Sequence, residues 1–156
     1  MAELRQLTKL VHPFPSRLVH ENPTGYGSYV AHPIVEQRLI DVLGAPPITS
    51  VVEILRGEAA GKGKGSDPLP NVIVGVVMRM DVTIDGIACS VEEVGDCELP
   101  SNWPHDGARL KDAMSDAYKR CAMRLGVGLH LWAQEDFYLS KKLLKQDGAE
   151  PEQENS

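Results

Sequence analysis

The chain has 156 residues, 16 Lys plus Arg against 22 Asp plus Glu, a formal charge of −6, and a hydrophobic share of 42%. This length predicts one domain, and the composition excludes a disordered or fibrous chain. The acidic excess speaks against an ordinary nucleic-acid binder, which displaces counterions from phosphate with a basic excess, until the charges are located along the chain.

No apolar run approaches the roughly 20 residues of a membrane-spanning helix, and the N-terminus lacks a long apolar stretch with a small-residue cleavage site. The expectation is a cytosolic protein without a membrane partner. Cys89, Cys97 and Cys121 are odd in number and lack CxxC spacing, which fits reduced, buried thiols. The histidines His12, His20, His32, His105 and His130 form no zinc-type cluster.

In chain order, residues 1 to 11 predict a short helix and 12 to 29, dense in Pro, Gly, Asn and Ser, an irregular loop. A helix follows over 33 to 43, opened by Pro33, striped by Ile34, Val35, Leu39 and Val42 or Leu43, and stopped by Gly44 with Pro46 and Pro47. Residues 49 to 56 read as a strand and 57 to 70, GEAAGKGKGSDPLP, as a mobile loop. Two β-branched runs then flank Asp85-Gly86, a strong hairpin turn signal. With the turn there, Val72, Val74, Val76, Met78, Met80, Val82 and Ile84 share one face, and Arg79 stands opposite Glu92. The first arm spans ~45 Å at ~3.3 Å per residue, long enough to predict a bend or bulge.

After the breaker LPSNWPHDG, residues 107 to 125 predict a long helix with Leu110, Ala113, Met114, Ala117, Cys121 and Leu125 on one face and Tyr118 at its edge. Gly126 and Gly128 end it, a short turn and a second helix follow, and QDGAEPEQENS reads as a disordered acidic tail. Setting aside the tail acids Asp147, Glu150, Glu152 and Glu154 leaves a formal −2 for residues 1 to 145. The remainder is unevenly spread. Residues 85 to 98 are purely acidic, whereas 109 to 124 hold Arg109, Lys111, Lys119, Arg120 and Arg124 against Asp112 and Asp116. Lys119, Arg120 and Arg124 fall within roughly 140° of helical arc, mostly opposite the apolar stripe. Such a ridge can track a phosphate backbone. It is equally the pattern of a solvated helix face, with Asp116 and Arg120 paired four residues apart.

Other motifs are weaker. GEAAGKGKGS fails as a P-loop, because Gly57 and Gly61 enclose three residues and Lys62 is followed by Gly63; Lys62 and Lys64 remain candidates for non-specific phosphate contact. Asp81, Asp85, Glu92 and Glu93 are the acids a Mg²⁺-dependent nuclease would use, though the turn accounts for Asp85 and the cross-strand arginine for Glu92. Tyr26 and Tyr29 follow Arg17, and Tyr118 precedes Lys119, the aromatic-plus-basic pairing that suits single-stranded nucleic acid.

The segment DGARLKDAMSDAYKRCAMRLGVGLHLW, residues 106 to 132, resembles the signature of the single-strand DNA annealing proteins of the Rad fifty-two superfamily, above all its small phage and bacterial members. The core of the likeness is Ser115-Asp116-Ala117-Tyr118-Lys119-Arg120, followed by Arg124-Leu125-Gly126 and a Gly-x-Gly-x-x-Leu-aromatic run ending at Trp132. The order of Ser16-Arg17, Tyr29, a short helix, a long hairpin and the signature helix agrees, so the likeness covers about residues 12 to 135.

The resemblance implies an α+β core over 1 to 145, with a bent antiparallel sheet and long hairpin packed on the long helix. It also implies a homo-oligomeric ring or helical filament, and single-stranded DNA in a basic groove. It matches Lys119 and Arg120 to cations gripping the DNA backbone, Arg17 and Tyr29 to groove residues, and Arg124, more loosely, to a further cation. The hairpin tip Thr83-Ile84-Asp85-Gly86 lacks the lysine used by eukaryotic members for an outer DNA site, and the expectation is an annealing core alone, with the acidic tail in place of the recombinase-recruiting extension. The expected function is ATP-independent binding and annealing of single-stranded DNA in recombination and repair, without cofactor or covalent catalysis, in the cytoplasm of a bacterium or phage-infected cell. A host single-strand-binding or recombination protein is a further candidate partner. The alternatives are the Mg²⁺-dependent nuclease and an oligomeric scaffold without DNA contact. The length of the apolar hairpin arm predicts that part of it is an intersubunit surface.

Overall fold

A computed structural model describes residues 3–23 and 25–149. The described chain is α+β, with helices α1 (Gln6–Val11), α2 (His32–Leu43), α3 (Asp106–Arg124), α4 (Leu129–Ala133) and α5 (Leu139–Gln146). Its strands are β1 (His20–Glu21), β2 (Ser28–Tyr29), β3 (Ile48–Ala59), β4 (Leu69–Ile84) and β5 (Ile87–Asp96). None of the described helices is long and apolar enough to cross a membrane. The chain divides into two compact units, one of residues 1–47, 83–88 and 122–156, the other of 48–82 and 89–121.

The second unit is built on the antiparallel sheet β3-β4-β5. Its long hairpin turns at Asp85 and Gly86, with φ of 51° and 79°, the left-handed pair of a type I′ turn that matches the strands' twist. On β4, Val72, Val76, Met78, Met80, Val82 and Ile84 are buried, and Arg79 and Thr83 are exposed. Val74, expected in the same buried row, is half-buried, while its neighbour Ile73 is buried. The pairing with β3 shifts register between Val51 and Glu53, Leu55 and Arg56, and Gly57 and Ala59; these are the irregularities that the arm's length called for.

Two expectations are adjusted. β3 runs on to Ala59, because Gly57 pairs with Val72 and Ala59 with Leu69, so the glycine-rich connection is shorter than its composition suggested. Arg79 bonds Asp81 (3.1 Å) and Ser90 (3.1 Å), two groups the cross-strand register with Glu92 did not include.

Helix α3 lies on this sheet at a close approach. A Cβ at Gly95 would stand 2.2 Å from the Ala113 carbonyl oxygen and 2.3 Å from the Ala117 amide nitrogen, so only glycine admits the helix backbone there. Ala113, Ala117 and Cys121 are fully buried, and the Cys121 thiol reaches the Met78 carbonyl at 3.7 Å.

The first unit gathers α1, α2, α4, α5 and the hairpin tip. The Asp85 carboxylate accepts the amides of Gln6 (2.8 Å) and Leu7 (3.1 Å), and the Asp85 amide donates to Gln6 Oε1 (2.7 Å). The hairpin tip thereby caps α1. Arg38 of α2 donates to the carbonyls of Lys9, Leu10 and His12 and stacks 4.2 Å over the Phe14 ring.

The expected tail begins later than its composition indicated. Gln146 ends α5, and the Asp147 side chain, 4% exposed, accepts the Arg5 amide, Arg5 Nε and the Thr8 hydroxyl. These bonds hold its carboxyl below the usual range, the Thr8 hydroxyl contributing most. The rest of the expected tail, residues 150–156, lies outside the described residues.

Candidate nucleic-acid interface

Helix α3 positions the signature residues, and its first turn is fixed by polar contacts. His105 Nδ1 accepts the Ala108 amide at 3.1 Å. The Asp106 carboxylate accepts the Ile73 amide (3.2 Å), Arg56 (2.9 Å) and Arg109 (3.0 Å). These contacts hold its carboxyl below the ordinary carboxylate range, chiefly through the Ile73 amide. Arg109 is buried and also donates to the carbonyls of Pro100 (2.8 Å) and Trp103 (3.0 Å). That arginine anchors the helix; it is not a surface cation.

Farther along α3 stand the proposed DNA cations, with Arg120 and Arg124 each about two turns beyond Ala113 and Ala117 and so beside the sheet-facing row instead of opposite it. Lys119 and Arg120 are half-buried and Arg124 is exposed in the last turn, where a cation also complements the helix dipole. Arg120 Nε donates to Asp116 Oδ2 at 3.2 Å, and the same carboxylate oxygen accepts the Asp96 amide at 3.0 Å. The expected Asp116–Arg120 pair is therefore present, and Asp116 ties that pair to the end of β5. Asp116 thus orients the Arg120 guanidinium and partly offsets its charge. Tyr118 is buried, which makes it a packing residue instead of a stacking platform.

Lys62 and Lys64 are exposed in the turn between β3 and β4. That turn is closed by the Ser66 hydroxyl donating to the Lys62 carbonyl. At Gly61 a Cβ would stand 2.3 Å from the Asp67 carbonyl oxygen, and Gly63 and Gly65 have φ of 88° and 82°. The glycines serve the turn's own tight path, which accounts for their density without a nucleotide.

In the first unit, Arg17 is exposed within a 3-10 turn (Ser16–Leu18), and Tyr29 pairs across the β1-β2 ladder with His20, their ring centroids 5.5 Å apart. Arg17, Tyr29 and Arg124 belong to this unit, and Lys119, Arg120, Lys62 and Lys64 to the other.

A basic face passed over at the level of sequence is that of α5. Lys141, Lys142 and Lys145 are exposed, with no acid among Leu139–Gln146, and the exposed Tyr138 immediately precedes them. Their spacing of one and four residues, placing all three within about 100° of arc, was the available signal.

The acidic hairpin is engaged in structural bonds. Asp85 caps α1, and Asp81 binds Arg79 and the Ser90 hydroxyl, which hold its carboxyl below the usual range with Ser90 the larger influence. Among the described residues no three His, Cys, Asp or Glu side chains converge in a way that could hold a metal ion. The Cys97 thiol is pushed up to about 11, mainly by burial and next by Asp112, so it is a packing group and not a nucleophile.

No protein-family model matches the chain, and no curated protein matches it in sequence.

Proposed function

We propose that this chain binds single-stranded DNA through the cations of α3 and anneals complementary strands without ATP, acting as a homo-oligomer in recombination and repair. The observation that carries the reading is the run of cations on α3, Lys119 and Arg120 half-buried and Arg124 exposed, within the residues that resemble the annealing signature.

Annealing needs no bond-making. Cations offset the repulsion between two phosphate backbones, and an extended strand leaves its bases open for pairing. By the same resemblance, Arg17 and Tyr29 add contacts from the first unit, with Lys62 and Lys64 as non-specific phosphate contacts. A few cations per protomer give modest affinity, so useful binding requires many protomers on one strand.

For such an assembly β3 is the surface we favour. The apolar row of β4 is buried within the protomer. Ile48, Val51, Val52 and Ile54 are exposed on the edge strand β3, Ile48 at 72%. Edge strands of this kind pair readily with another chain.

Gel-shift and annealing assays on labelled oligonucleotides, with and without Mg²⁺ and ATP, test the reading. Binding and annealing in the absence of both is the expected result. Absence of binding at low salt would refute it, and degradation confined to Mg²⁺-containing reactions would favour the nuclease.

A further inference from the structure

The hairpin β1-β2 carries a tyrosine whose placement nothing in the fold explains. Tyr26 is 85% exposed, although a tyrosine ring offers large apolar area to any core that takes it. It stands between Gly25 and Gly27, whose φ values of 80° and 76° are left-handed. The Gly27 carbonyl accepts the Asn22 amide (3.0 Å), and the Asn22 carbonyl accepts the Gly25 amide (2.9 Å). Those bonds and φ values define the turn, and neither requires an aromatic residue between the glycines.

Nothing among the described residues lies within 4 Å of where a Cβ would stand on either glycine. On the same segment, His20 and Tyr29 pair their rings at 5.5 Å, and the exposed cation Arg17 precedes β1 by three residues. Three chain steps, at most about 10 Å, separate Tyr26 from Tyr29.

We infer that Tyr26 is a base-stacking residue, its ring receiving one unpaired nucleobase. The inference rests on the single-stranded DNA reading above and deepens it by assigning a base contact to a residue outside the signature helix. An exposed aromatic ring suits a base of any identity, because every base has a π face. The partner is therefore unpaired nucleic acid without sequence preference.

The test compares wild type, Tyr26→Ala and Tyr26→Phe on a short dT oligonucleotide and on an abasic oligonucleotide of equal length. Stacking predicts that Tyr26→Ala weakens dT binding by about 5- to 100-fold, leaves abasic binding unchanged, and that Tyr26→Phe keeps wild-type affinity. The inference is overturned if Tyr26→Ala binds dT as wild type does, if it weakens both ligands equally, or if Tyr26→Phe loses as much as Tyr26→Ala. In those cases binding by wild type leaves the broader reading standing. Failure of wild type to bind either oligonucleotide overturns both. A circular-dichroism melt unchanged by Tyr26→Ala, as 85% exposure requires, shows that the comparison is made between folded proteins.

Discussion

Gly95→Ala is the sharpest perturbation of the scaffold under the basic helix. The added methyl would stand 2.2 Å from the Ala113 oxygen, 2.3 Å from the Ala117 nitrogen and 2.7 Å from the Ala117 Cβ. The two closest atoms are backbone, so no rotamer change relieves them. Restoring ordinary contact requires α3 to retreat from β5 by roughly 1 Å, and gaps of that size forfeit a quarter to a half of each dispersion contact along the interface. Overpacking of a core costs about 1–3 kcal/mol, and a backbone clash falls at or above the upper end. At a urea slope of about 2 kcal/mol/M for a protein of this size, a 3 kcal/mol loss lowers the midpoint by ~1.5 M. Gly57→Ala is the matched control, because its Cβ would meet only Val74 Cγ2 at 3.8 Å. A Gly95→Ala midpoint within ~0.3 M of wild type, or no lower than that of Gly57→Ala, would refute the close-packed geometry of α3 on the sheet.

Two further predictions concern the first unit. Both His130 ring nitrogens are buried without a hydrogen-bond partner among the described residues, and the ring lies 6.0 Å from those of Phe14 and Phe137. Burial first, then the positive Arg38 and His12, hold its pKa below the ordinary 6.5. The neutral form is thus favoured by folding. Stability from this site is complete above pH 6.5 and is lost as pH falls through the lower folded value. Urea midpoints at pH 7.5 and pH 5 should fall further apart in wild type than in His130→Phe; equal differences would contradict the assignment. Asp147→Ala should lower the melting temperature by several degrees, by releasing Arg5 and Thr8. The folded carboxyl is depressed below 3.8, so its contribution is present above that pH and lost in stronger acid, and the variant should differ from wild type least at the lowest pH. A melting temperature equal to wild type at pH 7 would exclude a stabilising role for these Asp147 bonds.

Local signals were the legible ones. The Asp85-Gly86 turn, the alternation along most of β4 and the ends of α2 and α3 all depend on residues within a few positions of one another, and the structure keeps them. The Asp116–Arg120 pair, one helical turn apart, was readable for the same reason. What escaped depends on distant partners. Asp147 resembled tail because Arg5 and Thr8 lie about 140 residues away in the chain. Gly57-Glu58-Ala59 resembled loop because only pairing with β4 makes it strand. Arg109 looked like one more member of a basic helix, and its burial follows from the carbonyls of Pro100 and Trp103. Periodicity put Tyr118 at the edge of the apolar face, where the structure buries it, so its aromatic-basic pairing with Lys119 had no bearing on base stacking.

The central claim is that Lys119 and Arg120 neutralise phosphates of a bound single strand, and the salt dependence of affinity measures this directly. For single strands the slope of log K against log salt is about −0.7 per phosphate neutralised. Lys119→Ala/Arg120→Ala should therefore make the slope shallower by about 1.4 for each protomer engaged on the oligonucleotide, with annealing reduced in parallel and the urea midpoint close to wild type. A double variant that binds and anneals with the wild-type slope would contradict the account.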